Sequence, residues 1–400
     1  MSATLGTQQK HEKCYTMRIV CMRNELEKDC SVNSGHLSHR NSFTNFFSRN
    51  DMSFSLTLAV LFSLMLFTLQ TGGSAGAPSE KGTLVVVNQA EHKVLLVEPD
   101  LRRTFATISV GVSGHEAAVS PDARFIYVPI YGNSGVGKPG TDGATIDVID
   151  IGERKVSGSI QVGPVRPHRA EFGPDGLLYV TAEVSNTVKI VDPAKQQVIG
   201  EIPTEAPQSH MIVISPDGQR AYTSNVGPGN ISVLDIPARR LIAVIPVAKT
   251  IQRISMSPDG TRLFTHDQNA PRLAVIDLPD RKAKDDIPNK VSRWIDLPCV
   301  AYASAPTPDG KWLLVACMAN HQLLAIDVAT LKIAKTFDLP ESPSEILITP
   351  DGAVAFVSCV SAGKIAMLDL RAWQLQQPIV LTAGVDGLAW VPVNTGNKAR

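Results

Sequence analysis

Residues 213–235 read VISPDGQRAYTSNVGPGNISVLD. Within them Ser215-Pro216-Asp217-Gly218 is a tight turn: proline presets φ, aspartate bonds the local backbone and glycine takes a positive φ. The flanking residues, Val213-Ile214 on one side and Ala221-Tyr222-Thr223-Ser224-Asn225 on the other, read as strands. Ile231-Ser232-Val233-Leu234-Asp235 reads as a third. The unit recurs at Ser120-Pro121-Asp122, Gly173-Pro174-Asp175-Gly176, Ser257-Pro258-Asp259-Gly260, Thr307-Pro308-Asp309-Gly310 and Thr349-Pro350-Asp351-Gly352. Successive prolines lie 53, 42, 42, 50 and 42 residues apart. A period in the low forties, built of short strands and turns, predicts an all-β propeller with one four-stranded sheet per repeat.

The ends of the array are unequal. Before the first Pro-Asp turn, residues 83–88, 93–97 and 104–110 read as strands B, C and D with no strand A. At the other end, residues 387–393 read as a lone strand A, and Pro392 falls 42 residues after Pro350. The last strand therefore completes the sheet begun by the first three. The expectation is seven blades, closed by pairing the two ends of the array, which removes the open edge.

Strands such as Leu178-Tyr179-Val180-Thr181 and Ala221-Tyr222-Thr223-Ser224-Asn225, with their Ser-Pro-Asp-Gly turns, resemble the Tyr-Val-Thr-Asn repeats of exported bacterial propellers. The resemblance covers roughly residues 82–395. It implies fold and repeat family more than chemistry, since propellers host many unrelated functions. A weaker resemblance to propeller lactonases rests on Arg166-Pro167-His168 and the neighbouring Glu183.

The 400 residues carry 38 basic and 38 acidic side chains and only 6% aromatics, which argues against nucleic acid as a partner. Residues 1–51 are polar and mixed in charge, and read as an extension outside the fold. Residues 52–77 read as a signal peptide: the apolar stretch 54–69 is shorter than the roughly 20 residues of a membrane span. It is followed by Thr71-Gly72-Gly73-Ser74-Ala75-Gly76-Ala77. Residues 78–400 would then be a periplasmic or secreted propeller with no membrane span. They hold Cys299, Cys317 and Cys359, an odd number that leaves at least one thiol free. Cys317 and Cys359 occupy one position in adjacent repeats. Buried thiols there are the expectation, ahead of a bond between them.

Comparing the repeats with one another separates fold from function. Asp150, Asp192, Asp235, Asp277, Asp327 and Asp369 all end strand C, and such recurrence marks a structural cap of the next turn. Six residues before each proline, at the channel-facing start of strand A, the occupants differ: His115, His168, His210, Gln252, Tyr302, Ser344 and Asp386. Three consecutive blades contribute histidine. Neutral imidazole ligates zinc, copper, nickel and iron. The end of strand B returns to the same face and offers Glu183 and Asp267. The plainer alternative is that each histidine caps its own loop.

The expectation is therefore a small ligand or transition-metal ion bound at the channel mouth by His115, His168 and His210, with Glu183 and Asp267 in support. A lactonase-like hydrolase is the alternative: Glu183 or His168 would activate water, and Arg166 or Arg169 would hold an anionic substrate. A protein-interaction scaffold is the third. The sequence leaves open whether the chain is an enzyme. Two insertions break the period. Residues 131–144, rich in glycine, join strands B and C on the histidine face, and residues 280–289 join C and D on the opposite face.

Overall fold

The computed structural model describes residues 81–279 and 288–393. The expected extension and signal peptide, and most of the 280–289 insertion, lie outside them. The described chain forms seven four-stranded antiparallel sheets. The first blade takes Gly82–Asn88, Lys93–Glu98 and Arg103–Ser109 from the start of the array and Val385–Pro392 from its end. Val85 pairs with Ala389 and Leu84 with Trp390, so the ring is closed as the unequal ends predicted. The six blades that follow are numbered 2 to 7 in chain order. Their inner strands A contact one another in turn around the ring, which makes them the wall of a central channel. No helix among the described residues is long and apolar enough to cross a membrane.

Local chemistry explains the repeat. In five turns the Ser or Thr hydroxyl donates to the aspartate at 2.6 Å, as from Ser215 to Asp217 and from Thr307 to Asp309. The same aspartates accept backbone N–H groups, and the glycines take φ near +70°. The recurring aspartate at the end of strand C is a turn cap: Asp192 accepts from Ala194 and Lys195, and Asp235 from Ala238. Strand B is buried along its length, as at Leu178–Ala182, because neighbouring sheets cover both its faces. Strand D is exposed along most of its length and forms the outer edge.

The cysteines differ from the sequence expectation. Cys299, in the loop entering blade 6, is bonded to Cys317 at the end of that blade's strand B, with Cα atoms 5.9 Å apart. Among the described residues Cys359 is the free thiol; it is buried, and burial pushes its pKa up to about 11. Equivalent positions pair Cys317 with Cys359, but the partner of Cys317 is Cys299, in the loop before strand A of its own blade. Cys299→Ser is expected to cost about 3 kcal/mol, the loop-closure value for a bridge of this span, and to lower the melting temperature by roughly 5 °C. Thermal unfolding with and without reductant checks this; an unchanged midpoint would show that the bond does not form.

Candidate functional site

Strand A does not begin as a regular ladder. Its register slips between Pro167 and Ala170 in blade 3, between Ser209 and Met211 in blade 4, and between Pro343 and Ile346 in blade 7. A bulge breaks the in–out alternation of a strand. Consecutive residues such as His168 and Arg169, or Ser344 and Glu345, therefore both reach the channel.

The three histidines come together. The His115 and His168 ring centroids are 4.4 Å apart, and those of His168 and His210 are 3.6 Å apart. Ligand-capable atoms of His168, Glu183 and His210 lie within 4.8 Å of one another, as do those of His115, Glu116 and His168. Burial holds the His168 pKa well below its ordinary value, and the neighbouring His210 and His115 add to this. Burial likewise lowers that of His115. These two rings are neutral at pH 7.

Each Nδ1 has its own neighbour. His210 Nδ1 donates to Glu183 Oε1 at 2.6 Å, and Tyr131 donates its phenol to the other oxygen at 2.6 Å. His168 Nδ1 is 3.3 Å from Glu116 Oε2, too poorly aligned for a hydrogen bond, and both atoms are otherwise unpartnered. Gln89 Nε2 donates to Asp386 Oδ2 at 2.9 Å and, with its second hydrogen, to His115 Nδ1. His210 is thus set with the proton on Nδ1 and Nε2 free, whereas His115 carries its proton on Nε2; at His168 a carboxylate oxygen 3.3 Å from Nδ1 favours the proton there without a hydrogen bond.

The other expected residues fall elsewhere. Asp267 is bound to Arg272 at 2.9 Å and to the Asn269 backbone, outside both histidine groups. Arg166 is committed to the 131–144 insertion through Asp142 and the carbonyls of Gly135 and Lys138, so it pins that loop instead of facing a substrate. Arg169 pairs with Glu171 at 2.9 Å and Glu345 at 3.5 Å.

Below the histidines lies a buried ion network. Arg253, only 4% exposed, donates to Glu116 Oε1 at 2.9 Å and to Glu345 Oε2, and lies 3.6 Å from Asp386 Oδ1. These acids come from blades 2, 7 and 1, so one guanidinium from blade 5 bridges the channel. Burial is the largest single influence on Glu116 and opposes its charge, but Arg253 together with His115, His210 and Arg169 holds the carboxyl below its usual range. Burial dominates at Glu345, whose carboxyl is pushed up. Counting Glu116, Glu171, Glu183, Glu345 and Asp386 against Arg169 and Arg253, carboxylates exceed guanidiniums by five to two.

His266, on strand B of blade 5, is fully buried with neither ring nitrogen partnered. Burial first, and Arg253 second, lower its pKa to about 3. The unfolded ring titrates near pH 6.5, so between the two values the unfolded chain binds the extra proton and stability falls with pH. The loss from this group between pH 6.5 and 5 is about 2 kcal/mol. His266→Gln should shrink the acid-induced drop in urea-unfolding stability by that amount; equal drops in both chains would contradict it.

No protein-family model matches the chain, and no curated protein matches it, so the repeat family rests on the resemblance of residues alone. Among solved structures it is similar to the periplasmic gluconolactonase of Pseudomonas aeruginosa: 19% identity, TM-score 0.62, covering 78% of this chain and 99% of that one. A putative 6-phosphogluconolactonase from Bacteroides uniformis aligns at 12% identity and TM-score 0.62, covering 78% and 100%. The hydrazine synthase of Kuenenia stuttgartiensis aligns at 19% identity and TM-score 0.61, covering 76% and 99%. At these identities the likeness is one of fold: the chain is a seven-bladed β-propeller.

Proposed function

We propose that the chain is an exported propeller that binds one divalent transition-metal ion at the mouth of its channel. His168 and His210 supply Nε2 ligands, and His115 directs its Nε2–H at whatever occupies a remaining position. The observation that carries this is the pair of imidazoles whose Nδ1 atoms each lie beside a separate buried carboxylate, hydrogen-bonded at 2.6 Å for His210 and at 3.3 Å without a hydrogen bond for His168. That arrangement fixes tautomer and ring orientation where histidine ligates a metal. The excess of buried carboxylates favours a cation over an anionic substrate. Imidazole nitrogen favours zinc, copper, nickel or iron over magnesium and calcium. The Cys299–Cys317 bond supports an oxidising compartment, as export requires.

Calorimetric titration of chelator-treated protein with Zn(II), Ni(II) and Mg(II) tests the reading. One site for the first two and none for Mg(II) is expected; heats indistinguishable from dilution would rule it out.

A second reading, a lactonase-like hydrolase, is favoured by the Glu183–His210 pair, which orients an imidazole as a general base. The gluconolactonase likeness in fold is compatible with it. Acid release from gluconolactone, lost in Glu183→Ala, is its expected signature.

A further inference from the structure

Two of the three histidines lead back to the same residue, His168 at one remove and His115 at two. Arg253 Nη2 reaches Glu116 Oε1, and the other oxygen of Glu116 faces His168 Nδ1. The same nitrogen lies 3.6 Å from Asp386 Oδ1, while Asp386 Oδ2 accepts from Gln89, which also donates to His115 Nδ1. Ser344 holds Asp386 from the side at 2.6 Å. Glu345 takes the opposite arm of the guanidinium, and the Tyr302 ring lies 5.1 Å from it. His210 is outside this scheme: Glu183 and Tyr131 hold it from blades 3 and 2.

We infer that Arg253 is a positioning residue that sets opposite tautomers on two adjacent imidazoles from the far wall of the channel. Through Glu116 it holds a carboxylate oxygen 3.3 Å from His168 Nδ1, and that negative charge favours the proton on Nδ1. Through Asp386 and Gln89 it keeps the proton of His115 on Nε2. The planar fork is what the role needs, because it spans acids on three different blades; an ammonium is a point charge and cannot hold them all in one geometry. Strand alternation hides this residue from a reading of equivalent positions. Its equivalents, Glu116, Arg169, Met211, Ala303, Glu345 and Gly387, differ in nearly every blade.

The inference deepens the proposed metal site but can be read without metal. The test is long-range 1H–15N correlation of the full chain with 15N-labelled histidine, metal-free, for wild type, Arg253→Lys and Glu116→Gln. Wild type is expected to show His168 and His210 as Nδ1–H and His115 as Nε2–H. Arg253→Lys should average the tautomers of His115 and His168 and leave His210 unchanged. Glu116→Gln should disturb His168 alone, which keeps the test alive if the lysine variant folds poorly. All three patterns unchanged in a folded Arg253→Lys chain would overturn the inference, as would an equal disturbance of His210. Co(II) competition on the same samples should show affinity lowered by roughly 10–100-fold, the usual effect of losing an outer-sphere partner. Failure of wild type to take Co(II) would sink the metal reading and leave the role of Arg253 to be decided by the resonances.

Discussion

His168→Ala is expected to abolish stoichiometric metal binding while leaving the protein folded. His168 is the residue common to both groups of converging ligand atoms. Loss of a direct ligand should exceed the 10–100-fold typical of an outer-sphere partner, so an affinity drop above about 100-fold is expected. Stability should change little, because the His168 Nδ1 is buried without a well-made hydrogen bond and its removal strands no donor that was satisfied before. Calorimetric titration beside thermal unfolding measures both. A purely structural histidine predicts the reverse: a lowered melting temperature and unchanged metal affinity.

Arg253→Met should have the largest effect on stability. The guanidinium is the shared partner of Glu116, Glu345 and Asp386, and all are largely buried. Removing one member of a buried charge network leaves the others uncompensated, at a cost of about 3–5 kcal/mol. For a chain of this size that is roughly 5–8 °C in melting temperature. The sign of its pH dependence follows. Without Arg253 the folded-state pKa of Glu116 rises above the unfolded value, and that of Glu345, already raised by burial, rises further. Stability is then retained where these acids are protonated and lost as pH rises through the folded pKa. The gap to wild type should therefore narrow between pH 7 and pH 5, as read by urea unfolding at each pH. A gap that widens on acidification would contradict the ion network as drawn.

Fold and site were legible to different degrees, for a physical reason. The Pro-Asp-Gly turns and the aspartates ending strand C are local devices, written in a few consecutive residues. Period and closure therefore came directly from spacing. Spacing places strand C of the first blade at 93–97, and the structure has Lys93–Glu98. His115, His168, His210 and Glu183 were found because equivalent positions in a ring share a direction. Glu116, Glu345 and the bridging role of Arg253 were missed because the bulge at the start of strand A turns two successive residues inward. A strictly alternating strand would allow one. Asp267 was included on the same equivalence, but Arg272, five residues on, claims it locally. Tyr131 lies in strand Phe125–Gly132, at a position filled by Val184, Val226, Gln268, Met318 and Val360 in other blades, one residue beyond the strand-B position that offers Glu183. The sequence signal for Arg166 was its neighbour His168, whereas its partners are in the 131–144 insertion. Moving the comparison of repeats one residue along strand A, and asking where charges vary, would have exposed the ion network.

Elemental analysis decides whether this channel mouth binds a metal ion. The chain would be exported from cells grown in metal-replete medium and purified without chelator or polyhistidine tag, with His168→Ala prepared in parallel. The account predicts about one transition-metal ion per chain in the wild type and essentially none in the variant. Metal absent from both preparations, or present equally in both, would contradict it.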